Sequence, residues 1–175
     1  MSSMDAPELD LQRLGLPDEP RAEIELAEEV DTRRLGRGLA EALEPGAFVG
    51  LVGNLGAGKT TLVQAFVTAV TPGAEATSPT YTLLNEYETD PPVVHVDLYR
   101  LQSYDELESI GYWDYVESGR AITCVEWLDR IPEAWPRHGV LVVLDRVDTH
   151  RSARLWATED YRHVIDSIAG GTPSG

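Results

Sequence analysis

From residue 22 onward, hydrophobic and polar positions divide the chain into short alternating elements. Ala22 to Ala27 puts Ile24 and Leu26 on one side of a two-residue period, which predicts a half-buried strand. Between Asp31 and Leu43, Leu35, Leu39 and Leu43 recur four apart. That is the stripe of an amphipathic helix, with Asp31 or Thr32 as N-cap and Pro45-Gly46 ending it. Ala47 to Val52 (AFVGLV) is apolar without alternation, as expected of a strand covered on both faces in a parallel sheet. A second helix is predicted from Lys59 to Val70, striped by Leu62, Phe66 and Val70 and stopped by Thr71-Pro72-Gly73. Further strands are predicted at Tyr81 to Tyr87, Val93 to Asp97, Ala121 to Glu126, Val140 to Asp145 and near Ala153 to Ala157, with short helical turns over Tyr104 to Tyr115. Interleaved strands and helices without an internal repeat predict one α/β domain over 22–168. Its central, mostly parallel sheet is flanked by helices and has antiparallel strands at the C-terminal edge. Residues 1–21, rich in Pro, Asp and Glu, read as an acidic, poorly ordered leader, and 169–175 (AGGTPSG) as a flexible tail.

Composition narrows the function. With 42% hydrophobic and 25% charged positions over 175 residues, the chain can bury a core without metal or disulfide staples. Its 30 Asp and Glu against 14 Lys and Arg give a net charge of −16, which disfavours a broad electrostatic grip on nucleic acid. Cys124 is the single cysteine, so neither an internal disulfide nor a cysteine zinc cluster is available. No apolar run approaches the roughly 18 residues of a membrane span, and the opening MSSMDAPELD lacks the form of a signal peptide. A cytoplasmic protein without membrane contact is the expectation. Lys59 is the single lysine, and arginine supplies every other cationic side chain.

That lysine sits in Gly53-Asn54-Leu55-Gly56-Ala57-Gly58-Lys59-Thr60, which matches G-x-x-x-x-G-K-[ST] between a predicted strand and a predicted helix. The three glycines are expected to take positive φ and turn backbone N–H groups inward as a nest for phosphate oxygens. The helix start adds its positive end. Lys59 suits bridging of β- and γ-phosphates, and the Thr60 hydroxyl suits Mg²⁺. A P-loop NTPase fold binding a nucleoside triphosphate with Mg²⁺ follows. Such a site also needs an acidic residue at a neighbouring strand end, and three predicted strands end that way, at Asp97, Glu126 and Asp145. Spacing does not choose among them, although Asp145 has the best pattern.

The set Gly53 to Thr61, Ser78-Pro79-Thr80-Tyr81, His95-Val96-Asp97-Leu98-Tyr99-Arg100 and Val125-Glu126-Trp127, in that order, resembles the TsaE family. The resemblance runs from about Ile24 to Arg154. Members of that family are small bacterial P-loop ATPases required for threonylcarbamoyladenosine synthesis on tRNA. The resemblance implies that Thr60 and Glu126 coordinate Mg²⁺ and that Asp97 is a second acidic catalytic residue beside the γ-phosphate, leaving Asp145 a bystander. It gives Thr80 the role of a switch threonine sensing the γ-phosphate, against a plain turn as the other reading. It puts Trp127, Arg151, Glu29 and Thr61 at the nucleotide. His95 reads as structural, and Arg100 is open between charge stabilisation and docking. The resemblance also implies partners, TsaB and TsaD, and weak ATP hydrolysis without them, in support of threonylcarbamoyl transfer to adenosine 37.

Three other classes bear on the same motifs. A small-molecule kinase would carry an arginine-bearing lid, but Gln102 to Gly119 is acidic and has no arginine. A non-hydrolysing, nucleotide-gated interaction module fits the same motifs. A guanine-reading Asn-Lys-x-Asp motif is excluded because Lys59 is the only lysine.

Overall fold

The structure, a computed structural model, describes residues 9–73 and 83–170. The described residues form one seven-stranded sheet from β1 (Ala22–Glu25), β2 (Phe48–Gly53), β3 (Leu84–Tyr87), β4 (Val93–Asp97), β5 (Ile122–Glu126), β6 (Val140–Val147) and β7 (His150–Ala157). The order is β1-β7-β6-β2-β5-β4-β3. The central β6, β2, β5 and β4 pair in parallel, whereas β1–β7, β7–β6 and β3–β4 are antiparallel. Antiparallel pairing thus occurs at both edges rather than at the C-terminal edge alone. The connections explain it. Five residues join β3 to β4 and two join β6 to β7, too few for the crossover that a parallel pair requires.

The unbroken apolar run of β2 is explained by cover on both sides. Val49 and Leu51 pack with Leu35, Leu39, Leu62 and Phe66 of α1 (Glu29–Ala42) and α2 (Lys59–Val70). Phe48 and Val52 face the opposite layer, which includes Leu107 of α3 (Tyr104–Ser109), Tyr112 of α4 (Tyr112–Val116) and Trp135. Among the described residues, no helix is long and apolar enough to cross a membrane.

Several boundaries differ from the sequence reading. Helix α1 starts two residues before Asp31 and is capped from Glu28, whose backbone N–H donates to Asp31 Oδ2 at 2.9 Å. Thr32 is fully buried inside that helix rather than capping it. A helix not read from the sequence, α5 (Arg162–Gly170), packs Val164 and Ile165 into the α1–α2 layer and takes in the first two residues of the expected tail. The strand expected from Tyr81 is seen as β3 from Leu84, Tyr81 itself lying outside the described residues.

Residues 9–21 are not loose. Leu14 and Leu16 are buried in the second layer, the Trp135 indole N–H donates to the Leu14 carbonyl at 3.0 Å, and Arg21 pairs with Asp166 at 2.8 Å. The acidic, Pro-containing composition hid four leucines that find apolar partners far away in the chain.

Candidate functional site

Strand β2 ends at Gly53 and α2 begins at Lys59, so the glycine-rich loop turns at the C-terminal edge of the parallel strands. Gly56 and Gly58 take φ of +81° and +110°, as expected of residues that fold a nest. Gly53, expected to do the same, does not. A Cβ on Gly53 would lie 2.6 Å from the Leu144 carbonyl, so this glycine is needed for the approach of β2 to β6 rather than for its φ. The first turn of α2 directs N–H groups without intrahelical acceptors toward the same space.

Lys59 is buried. Its ammonium donates to the Gly53 carbonyl and, at 3.0 Å, to that of Asn54, and lies 4.0 Å from the Trp127 ring centroid. Burial pulls its pKa below the ordinary 10.5, while the carboxylates of Glu126, Asp129 and Asp97 oppose that shift. Gly53, Asn54 and Ala57 build the loop without lining the cleft: Gly53 and Ala57 are buried, and the Asn54 carbonyl accepts from Lys59 and from the Ala57 N–H.

The register brings two carboxylates to this loop. Glu126 at the end of β5 lies opposite Leu51 of β2 on one side and opposite Asp97 of β4 on the other. The Thr60 hydroxyl, in the first turn of α2, donates to Glu126 Oε1 at 3.0 Å. Asp97 accepts the Tyr99 N–H at 2.9 Å, and burial, aided by the charge of Glu126, pushes its carboxyl above the ordinary 3.8. Asp145, the best strand end by pattern, is not part of this group. Its strand runs on into the β6–β7 hairpin, where Asp145 accepts from Arg154 Nε at 2.9 Å.

A cleft of about 420 Å³ gathers these groups. Gly56, Gly58, Lys59, Thr60 and Thr61 form one wall, and Asp97, Glu126 and Trp127 another. Trp127 holds a left-handed φ of +61°, and its ring packs on Tyr99 with centroids 4.8 Å apart; it lines the cleft while also packing against the second core layer. Glu29, in the first turn of α1, and Arg151, near the start of β7, also reach the cleft, as do Leu55 and Arg100. Glu29 accepts from Arg33 Nη2 at 2.6 Å, and Arg33, with a smaller effect of Arg151, holds its carboxyl below the usual range. Thr80 and its Ser-Pro-Thr-Tyr neighbours lie outside the described residues.

His95 reads as structural in the sequence. It is buried, and its Nε2 lies 2.5 Å from Glu126 Oε2. His-x-Asp puts His95 and Asp97 on one face of a strand, but nothing local in the sequence points to Glu126.

Residues 26–154 match the family described as "Threonylcarbamoyl adenosine biosynthesis protein TsaE". The chain belongs to the TsaE family. Relatives named tRNA threonylcarbamoyladenosine biosynthesis protein TsaE include one from Nostoc sp., 42% identical over 62% of this chain and 69% of its own. Another, from Haemophilus influenzae, is 36% identical over 82% of this chain and 95% of its own. Among solved structures, the crystal structure of Bacillus subtilis YdiB is similar with a TM-score of 0.69 and 25% identity, covering 85% of this chain and 94% of that one. The TsaE match spans the phosphate loop and both strand-end carboxylates, but begins after the packed residues 9–21.

Proposed function

We propose that this chain binds ATP with Mg²⁺ in the cleft and hydrolyses it weakly until TsaB and TsaD complete the site, supporting threonylcarbamoyl transfer to adenosine 37 of tRNA in the cytoplasm. The observation that carries the reading is the convergence of Lys59, Thr60 and Glu126 at the mouth of a glycine nest. The donors fit the metal: a hydroxyl and a carboxylate 3.0 Å apart, with Asp97 beside them in register, are the hard oxygen ligands that Mg²⁺ takes. Thr60 and Glu126 would hold it, and when bound it supplies neutralisation of phosphate charge.

The loop amides and the Lys59 ammonium bind the polyphosphate, the ammonium leaving the Gly53 and Asn54 carbonyls to do so. We assign Asp97 the second acidic role beside the γ-phosphate, since burial makes its carboxylate more basic than usual. Trp127, Glu29, Arg151 and Thr61 contact the nucleotide, and Thr80 senses the γ-phosphate. Positioning and charge neutralisation supply almost all catalysis of phosphoryl transfer, and one missing arginine costs about 10³–10⁵ in rate, which accounts for dependence on partners. The net charge of −16 agrees with a protein that leaves tRNA to them.

The test is calorimetric titration of ATP and ADP into the wild type and Lys59→Ala. Binding should be lost or strongly weakened in the variant; an unchanged titration overturns the reading. Phosphate release that rises on adding TsaB and TsaD supports the assisted ATPase, whereas ATP left intact in the mixture refutes hydrolysis.

A further inference from the structure

Glu126 is 2% exposed, and a carboxylate so enclosed needs donors to hold it. Among the described residues two side chains hydrogen-bond it: the Thr60 hydroxyl favours Oε1, at 3.0 Å against 3.4 Å to Oε2, and His95 Nε2 meets Oε2 at 2.5 Å. His95 lies opposite Cys124 in the β4–β5 register, one pleat before the Asp97–Glu126 pair, and by the two-residue period shares a face with both acids.

The ring is 1% exposed, and its Nδ1 has no partner among the described residues. A lone pair without a donor is a smaller loss than an orphaned N–H, so the hydrogen sits on Nε2, the atom facing Glu126. An imidazole kept only for packing would be better replaced by an apolar side chain of the same size, since half of its polar capacity is unused. Among the described residues its one polar contact is the Glu126 oxygen turned away from Thr60.

We infer that His95 is a positioning residue: its Nε2–H fixes the rotation of the Glu126 carboxylate, holding Oε2 inside the sheet and presenting Oε1 to Thr60 and the cleft. The inference rests on the MgATP reading and adds a residue that does not itself touch metal or nucleotide. Hydrogen-bond partners behind a ligating carboxylate typically contribute roughly 10–100-fold in metal affinity.

Three substitutions test it, read by ATP affinity with Mg²⁺ and with EDTA. His95→Leu should raise the Mg²⁺ concentration for half-maximal tightening of ATP binding by roughly 10–100-fold while leaving affinity in EDTA unchanged. His95→Gln, whose amide nitrogen reaches the Nε2 position, should stay near wild type. His95→Asn, reaching only as far as Nδ1, should behave like His95→Leu, so the Gln–Asn contrast decides even if His95→Leu fails to fold. Equal Mg²⁺ dependence in Gln and Asn variants overturns the inference. Metal-free protein gives a separate readout: long-range ¹H–¹⁵N correlations should show the Nε2–H tautomer of His95, perturbed by Glu126→Gln, and an Nδ1–H tautomer overturns it. If wild-type ATP affinity is indifferent to Mg²⁺, the MgATP reading itself fails, whatever the tautomer.

Discussion

Leu14→Ala tests whether residues 9–21 are part of the folded unit. Leu14 is 4% exposed and packs in the layer that holds Leu16 and Trp135, whose indole N–H bonds the Leu14 carbonyl. Truncating a buried leucine costs about 2–5 kcal/mol, the larger values arising where the surroundings cannot settle into the space. Leu14 sits in a short turn segment, 10–16, that can move inward, so the lower end applies, about 2–3 kcal/mol. At ~2–4 °C per kcal/mol for a chain of this size, Tm should fall by about 4–12 °C. Urea unfolding followed by tryptophan fluorescence and far-UV dichroism measures the free energy directly. ATP affinity should not change, because the affected layer lies across the sheet from α2. A loss below about 0.5 kcal/mol, the range of an ordinary surface substitution, would refute the packing and restore the loose leader expected from composition.

The two kinds of glycine in the loop should separate by substitution. Gly53→Ala meets the Leu144 carbonyl and should cost about 1–3 kcal/mol, with Gly53→Asn worse; at Gly56, where φ is +81°, Asn should be milder than Ala because asparagine tolerates the left-handed region. Thermal melts giving the opposite order at either site would refute the distinction. Asp145→Ala should leave ATP turnover intact and cost about 1 kcal/mol or less, since its pair with Arg154 is partly exposed; Glu126→Ala should abolish Mg²⁺-dependent hydrolysis. A steady-state assay with the ranking reversed would move the metal to the other strand. Burial raises the Asp129 carboxyl above its ordinary 3.8, so the native state holds that proton more tightly than the unfolded chain. Its contribution to stability therefore falls as pH rises from 3.8 to the native pKa. Asp129→Asn should remove that fall, which urea midpoints across the window would show; an unchanged slope counts against it.

The sequence by itself determined what depends on neighbours in the chain. An unbroken apolar run made β2 a strand covered on both faces, a four-residue leucine spacing made α1 a helix, and G-x-x-x-x-G-K-T marked the phosphate loop, because turn geometry and helix start belong to consecutive residues. Local pattern did not choose among three acidic strand ends; the family resemblance pointed to Glu126 and Asp97, and the strand order supplied the physical reason. It set Glu126 between Leu51 and Asp97, and turned Asp145 to Arg154. The contact of His95 with Glu126 spans 31 residues, and that of Trp135 with Leu14 spans 121. No local pattern carries either, since a buried hydrogen bond is decided by which distant strand or turn completes it once water is excluded.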